Sequence, residues 1–149
     1  MYRACRLVHS LTEHTDGVYC TTDFMQIDDN FGDLALFQSL STQAEALGIR
    51  LILDGVFNHT SSDSIYFDRY GRFSESGACE SSSSPYIDWF PFKPYTGGGT
   101  APCSDNRDYN YWFGIFDSLP VLDHDDAGVR SYFLDNGTAS VAPYWMQWA

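Results

Sequence analysis

The chain is short of positive charge. Eight Lys and Arg stand against 20 Asp and Glu, a formal net charge of −12. Phosphate recognition needs a Lys/Arg surface, so this balance argues against a nucleic-acid partner and against an anionic membrane surface. It suits a neutral polyhydroxylated ligand or a cation. No apolar run approaches the roughly 18 residues of a membrane span. Met1-Tyr2-Arg3 leads into mixed polar residues, not into the apolar stretch of a signal peptide. None of the four cysteines, Cys5, Cys20, Cys79 and Cys103, belongs to a CxxC pair, so a zinc site is not expected. Cys79 and Cys103 flank one aromatic, Ser- and Gly-rich stretch. A disulfide closing that loop, which would imply an oxidising compartment, and four separate thiols both fit the spacing.

What the chain does have is apolar and aromatic mass. It has 149 residues, 44% of them hydrophobic and 17% aromatic, and reads as one globular domain's length. Residues 1–33 show little periodicity. Asp33 then looks like an N-cap, with Leu34, Phe37, Leu40, Ala44 and Leu47 at helical spacing and Gly48 at the C′ position. This predicts an amphipathic helix over 33–47. Residues 49–57 form a short apolar run that predicts a strand buried on both faces, of the parallel-sheet type. Helix, Gly turn and buried strand make half of a βαβ unit. Residues 60–117 lack a sustained period but carry Trp89, Phe90, Phe92, Trp112 and Phe113, which suits an inserted subdomain or functional loop better than a linker. A helical pattern returns near Asp125, interrupted by Gly137 and Pro143.

Asp54 falls inside the apolar run, where an ionised carboxylate is costly unless it is paired. Asn58 and His59 follow at the strand exit, and strand C-termini are where sites assemble in parallel α/β folds. Taken one at a time, a lone His is usually a surface or core residue and an Asn after a strand a turn former. Together, Asp54, Asn58 and His59 form the most informative cluster in the chain.

The stretch Leu53-Asp54-Gly55-Val56-Phe57-Asn58-His59 resembles the first signature region of the α-amylase superfamily, glycoside hydrolase family 13, where it forms the third barrel strand. Three further segments agree in order. Tyr19 through Gly32, with its Ile27-Asp28-Asp29-Asn30-Phe31-Gly32 tail, resembles the loop after strand two. Thr60 through Gly71 resembles the start of domain B in pullulanase-like and neopullulanase-like members. Ser118-Leu119-Pro120-Val121-Leu122-Asp123 resembles the short signature late in domain B. The resemblance implies an α/β fold: part of a (β/α)8 TIM barrel, from about the end of strand two to helix three, with domain B inserted after strand three. It divides the chain into a partial barrel (1–59), a domain B-like insertion (60–117) and a return to the barrel (118–149).

The resemblance also implies roles. Tyr19 would stack on the sugar at the cleavage subsite. His59 would hydrogen-bond a sugar hydroxyl there. Asp54 would pair with an Arg preceding the nucleophile. Asn58 would be a ligand for calcium, whose hardness suits an amide oxygen; no organic cofactor is implied. Two positions depart from the family: Cys20 stands where Asp usually follows the Tyr, and Phe24 replaces a Tyr after Asp23. Hydrolysis of a glycoside with retention needs a nucleophile and an acid/base carboxyl. In this family both follow later strands, so the resemblance places them beyond Ala149. The expected function is therefore an internal part of a retaining hydrolase of α-1,4 glucans, with α-1,6 linkages also open, inactive alone. The α-glucan would be its partner, and its location extracellular, or else cytoplasmic. The alternative is a non-catalytic carbohydrate-binding or partner protein of the same descent.

Overall fold

The computed structural model describes residues 20–148. The first regular element is a single 3-10 turn, Asp29–Phe31, capped by the Asp28 carboxylate, which accepts from Asn30 N at 2.8 Å. Gly32 (φ +97°) then turns the chain into helix α1, Leu34–Ala46. Its start follows from Asp33, whose Oδ1 accepts from Leu36 N at 2.8 Å and satisfies an otherwise orphaned donor. Its end follows from Gly48 at φ +70°. Ile49 N donates to Ala44 O and Gly48 N to Glu45 O, the paired bonds of a Schellman cap. Only Phe37 and Ala44 are buried on α1; Leu40 and Leu47 are exposed, so the apolar stripe is covered over part of its length.

The segment 49–57 is not a strand in this structure, which corrects the expectation of a strand buried on both faces. A strand exists only where a neighbour completes its ladder, and among the described residues none runs beside this segment. Leu51 is buried, but Ile52 is 59% exposed and Asp54 is exposed too.

The strands lie instead within the stretch read as an insertion and just after it. Strands β1 (Phe92–Pro94) and β2 (Arg107–Tyr109) pair antiparallel, with Phe92 opposite Tyr109. Strands β3 (Tyr111–Trp112) and β4 (Phe116–Pro120) form a hairpin with an irregular register between Tyr111 and Trp112. Helix α2 (Ala127–Arg130), capped by Asp126, runs on through a wider turn, Ser131–Asp135. Gly137 (φ +53°) breaks it, as its sequence predicts. Pro143 does not interrupt α3 (Val141–Met146), contrary to expectation. It falls in the first turn, where an N–H has no helical acceptor and its loss costs nothing.

The core is aromatic. Phe67, fully buried, meets Phe90 and Tyr109 edge-on at 4.8 and 4.7 Å. Beside them Tyr66 stacks on Trp89 at 5.3 Å, and Val129 and Phe133 close the layer. Trp145 of α3 donates through Nε1 to Phe24 O at 2.8 Å and packs edge-on against Phe37 of α1.

A disulfide joins Cys79 and Cys103, 24 positions apart, and encloses β1. Ser104 N donates to Cys79 O beside it. Cross-linking a loop of that length removes chain entropy worth about 3 kcal/mol from the unfolded state. Replacing both cysteines by Ser is expected to lower stability by about that amount, read as a fall in the urea midpoint. An unchanged midpoint would show that the bond contributes nothing net.

Candidate functional site

His59 sits where residues 58–65 run as a strap between two distant segments. On one side, Ser61 N and Thr60 Oγ1 both donate to Thr21 O, at 2.7 and 2.8 Å, and Ile65 N donates to Thr22 O at 3.4 Å. On the other, Thr60 N donates to Pro120 O (3.1 Å), Ser62 N to Ser118 O (2.8 Å) and Leu122 N to Asn58 O (3.0 Å). His59 itself pairs antiparallel with Val121. The strap thus brings together three segments singled out in the sequence: the loop beginning at 20, the Asn58-His59 exit and the 118–123 signature. Tyr19, the expected stacking residue, lies outside the described residues.

His59 is 3% exposed, and its ring lies 5.3 Å from that of Trp112 in β3. The Asn58 amide nitrogen is 3.2 Å from His59 Nδ1. The two side chains are thus within hydrogen-bond reach of each other. The calcium role expected of Asn58 finds no support in the geometry: Asn58 is exposed, and among the described residues no three His, Cys, Asp or Glu side chains converge to hold a metal ion.

Asp54 is exposed, not enclosed in a strand. It lines a cleft of about 330 Å³ between α1, the 51–57 segment and α3, walled by Phe24, Phe37, Leu53, Phe57 and Trp145. Among the described residues, His59 does not line that cleft.

The other polar groups near the strap are engaged in structure. Asp63, buried, pairs with Arg72 at 2.5 Å. Asp68, fully buried at φ +43°, accepts from Arg72 N and Phe73 N at 2.8 and 3.1 Å. These two carboxylates hold the 63–73 loop. Arg69 pairs with Asp117 at 2.9 Å and donates to Tyr109 Oη at 3.0 Å, while Tyr109 Oη donates to Asp117 O at 2.6 Å, which locks the base of β4. Burial pushes the Tyr109 hydroxyl well above its usual range. Trp112 against His59, and the Asn58 amide beside its ring, are two features that sequence reasoning missed. The adjacency behind the second was legible; the first, 53 positions away in the chain, was not.

Three kinds of relative match this chain. The profile of the Alpha-amylase family (Alpha amylase, catalytic domain) covers residues 10–147. The chain is 42% identical over 142 residues to Amylopullulanase of Thermoanaerobacter thermohydrosulfuricus, spanning 86% of this chain and 9% of that protein. It is 32% identical over 131 residues to Neopullulanase 2 of Thermoactinomyces vulgaris, spanning 87% of this chain and 19% of that protein. Among solved structures, the Nostoc punctiforme debranching enzyme soaked with acarbose superposes with a TM-score of 0.70 at 28% identity, over 99% of this chain and 28% of that one. Isomaltulose synthase from Klebsiella sp. LX3 gives the same TM-score at 19% identity, over 87% and 24%, a likeness of fold alone. The chain therefore spans a small part of the length of the curated relatives it matches.

Proposed function

The chain belongs to the alpha-amylase catalytic-domain family, and from that premise we propose that it is the sugar-binding stretch of a retaining α-glucan hydrolase. It contributes walls of the cleavage subsite and not the nucleophile and acid/base pair, so the 149 residues do not hydrolyse glucan alone. In the fold proposed, residues 60–117 form a domain B-like insertion, and 49–57, unpaired among the described residues, become a strand only where barrel neighbours from the rest of the catalytic domain lie beside them. Tyr19 stacks on a glucosyl unit, His59 hydrogen-bonds one of its hydroxyls, and Asp54 braces an Arg from outside this stretch. The names Amylopullulanase and Neopullulanase 2 support starch- and pullulan-type substrates, α-1,4-linked first and α-1,6-linked second. A disulfide is kept in oxidising compartments, and Cys79–Cys103 supports an extracellular place of action.

One observation carries this reading: a buried imidazole on a strap that ties three segments together. His59→Ala in the whole hydrolase that carries this chain is expected to lower kcat/KM on maltotriose by about 30-fold or more, the loss of a desolvated hydrogen bond made to the reacting sugar. A change within about twofold, with the fold intact by circular dichroism, would defeat the assignment.

A further inference from the structure

We propose that the tip of the β3–β4 hairpin, Trp112 and Phe113, is a second sugar-stacking platform. It would hold a glucosyl unit of the same α-glucan chain beyond the unit at His59. The inference rests on the α-glucan reading above and extends it.

The first observation is backbone strain at an exposed ring. Phe113 has φ +54° and Gly114 φ +66°, with Ile115 N donating to Trp112 O at 3.2 Å to close the turn. Two consecutive residues in the left-handed region suit Asn-Gly, and a bulky residue there is an outlier. Burial does not explain the choice, because Phe113 is 75% exposed. Strain kept for a side chain that packs little points to a task for that side chain.

The second observation is continuity. The Trp112 ring lies 4.7 Å from Phe113 at 30°, 5.6 Å from Phe116 at 33° and 5.3 Å from His59 at 34°. A tilted row of rings thus leads from the buried His59 to the hairpin tip. An oligosaccharide matches such a row, because each pyranose offers an apolar C–H face to a ring and its hydroxyls to solvent. The Arg69 guanidinium at the hairpin base is already paired with Asp117, which makes it less available to an ionic ligand. A second protein copy is the weaker occupant: a stable interface buries about 800 Å² per partner, more than one hairpin turn offers.

The test is Phe113→Asn in the whole hydrolase. Asn tolerates the left-handed region, so the turn itself is preserved or relaxed. Expected is a loss of about tenfold in kcat/KM on maltoheptaose against about threefold or less on maltotriose, with Phe113→Tyr close to wild type. Equal losses on both substrates, no loss on either, or a fall in melting temperature that tracks the activity would overturn the platform. So would a shift from dimer to monomer in sedimentation. His59→Ala separates the two levels. If it lowers both substrates while Phe113→Asn lowers neither, only the platform fails. If neither variant has an effect, the α-glucan reading fails with it.

Discussion

Phe67→Ala is expected to cost about 4 kcal/mol of stability, the middle of the range for truncating a buried aromatic. The site cannot collapse easily. Phe67 is fully buried among Phe90, Phe92 and Tyr109, with two of these rings edge-on within 5 Å. Its backbone is fixed from both sides: its N–H donates to Ser64 O and its carbonyl accepts from Cys79 N at 2.8 Å. Gly77 presses directly on it, and a Cβ there would stand 2.5 Å from the Phe67 carbonyl carbon. A cavity left by the ring would therefore stay largely open. Urea unfolding of the variant reads the loss, and a loss below about 1 kcal/mol would mean that the surrounding rings repack.

Alkali is expected to unfold the protein in a steep step above about pH 10. Tyr66, Tyr109 and Tyr132 all have hydroxyls pushed well above the usual tyrosine range, chiefly because burial penalises the phenolate. For Tyr66 the neighbouring Tyr132 and Asp23 add to the push. The unfolded chain gives up these protons near pH 10 while the folded chain keeps them, so the unfolded state binds fewer protons there and stability falls as pH rises. Below the unfolded value both states are protonated and the contribution is fully present. Each tyrosine can contribute a slope of up to about 1.4 kcal/mol per pH unit, about 4 for the three together. Urea midpoints at pH 9 and pH 11 test this. Equal midpoints, or tyrosinate absorbance appearing before unfolding, would show that the phenols ionise in place.

What was legible in the sequence was what is local. Asp33 and Gly48 bound α1 because a cap and a left-handed stop act within a few residues. Gly137 ends a helix for the same reason. The 49–57 run was legible as apolar but not as a ladder, since pairing depends on segments elsewhere. Pro143 misled because its effect depends on its place in the helix, which no propensity records. At the candidate site, Asn58 and His59 stand out by type and position, while the contact between their side chains is a matter of geometry that sequence does not record. Trp112 could be counted in advance but not located, because its partner lies across the fold.

The strap also sets an order of events during synthesis. Thr21 is already made when Ser61 emerges, so one half of the clasp can close at once. Ser118 follows some 57 residues later, a wait of about 3–11 s at ordinary elongation rates. Over that interval the His59 segment is held from one side only, with Phe67, Phe90 and Phe92 exposed before Tyr109 arrives to cover them. Cys103 appears late in the same window. The nascent chain is therefore most open to aggregation in the seconds before the 118–122 segment docks, when a chaperone or a slow codon would have the greatest effect on yield.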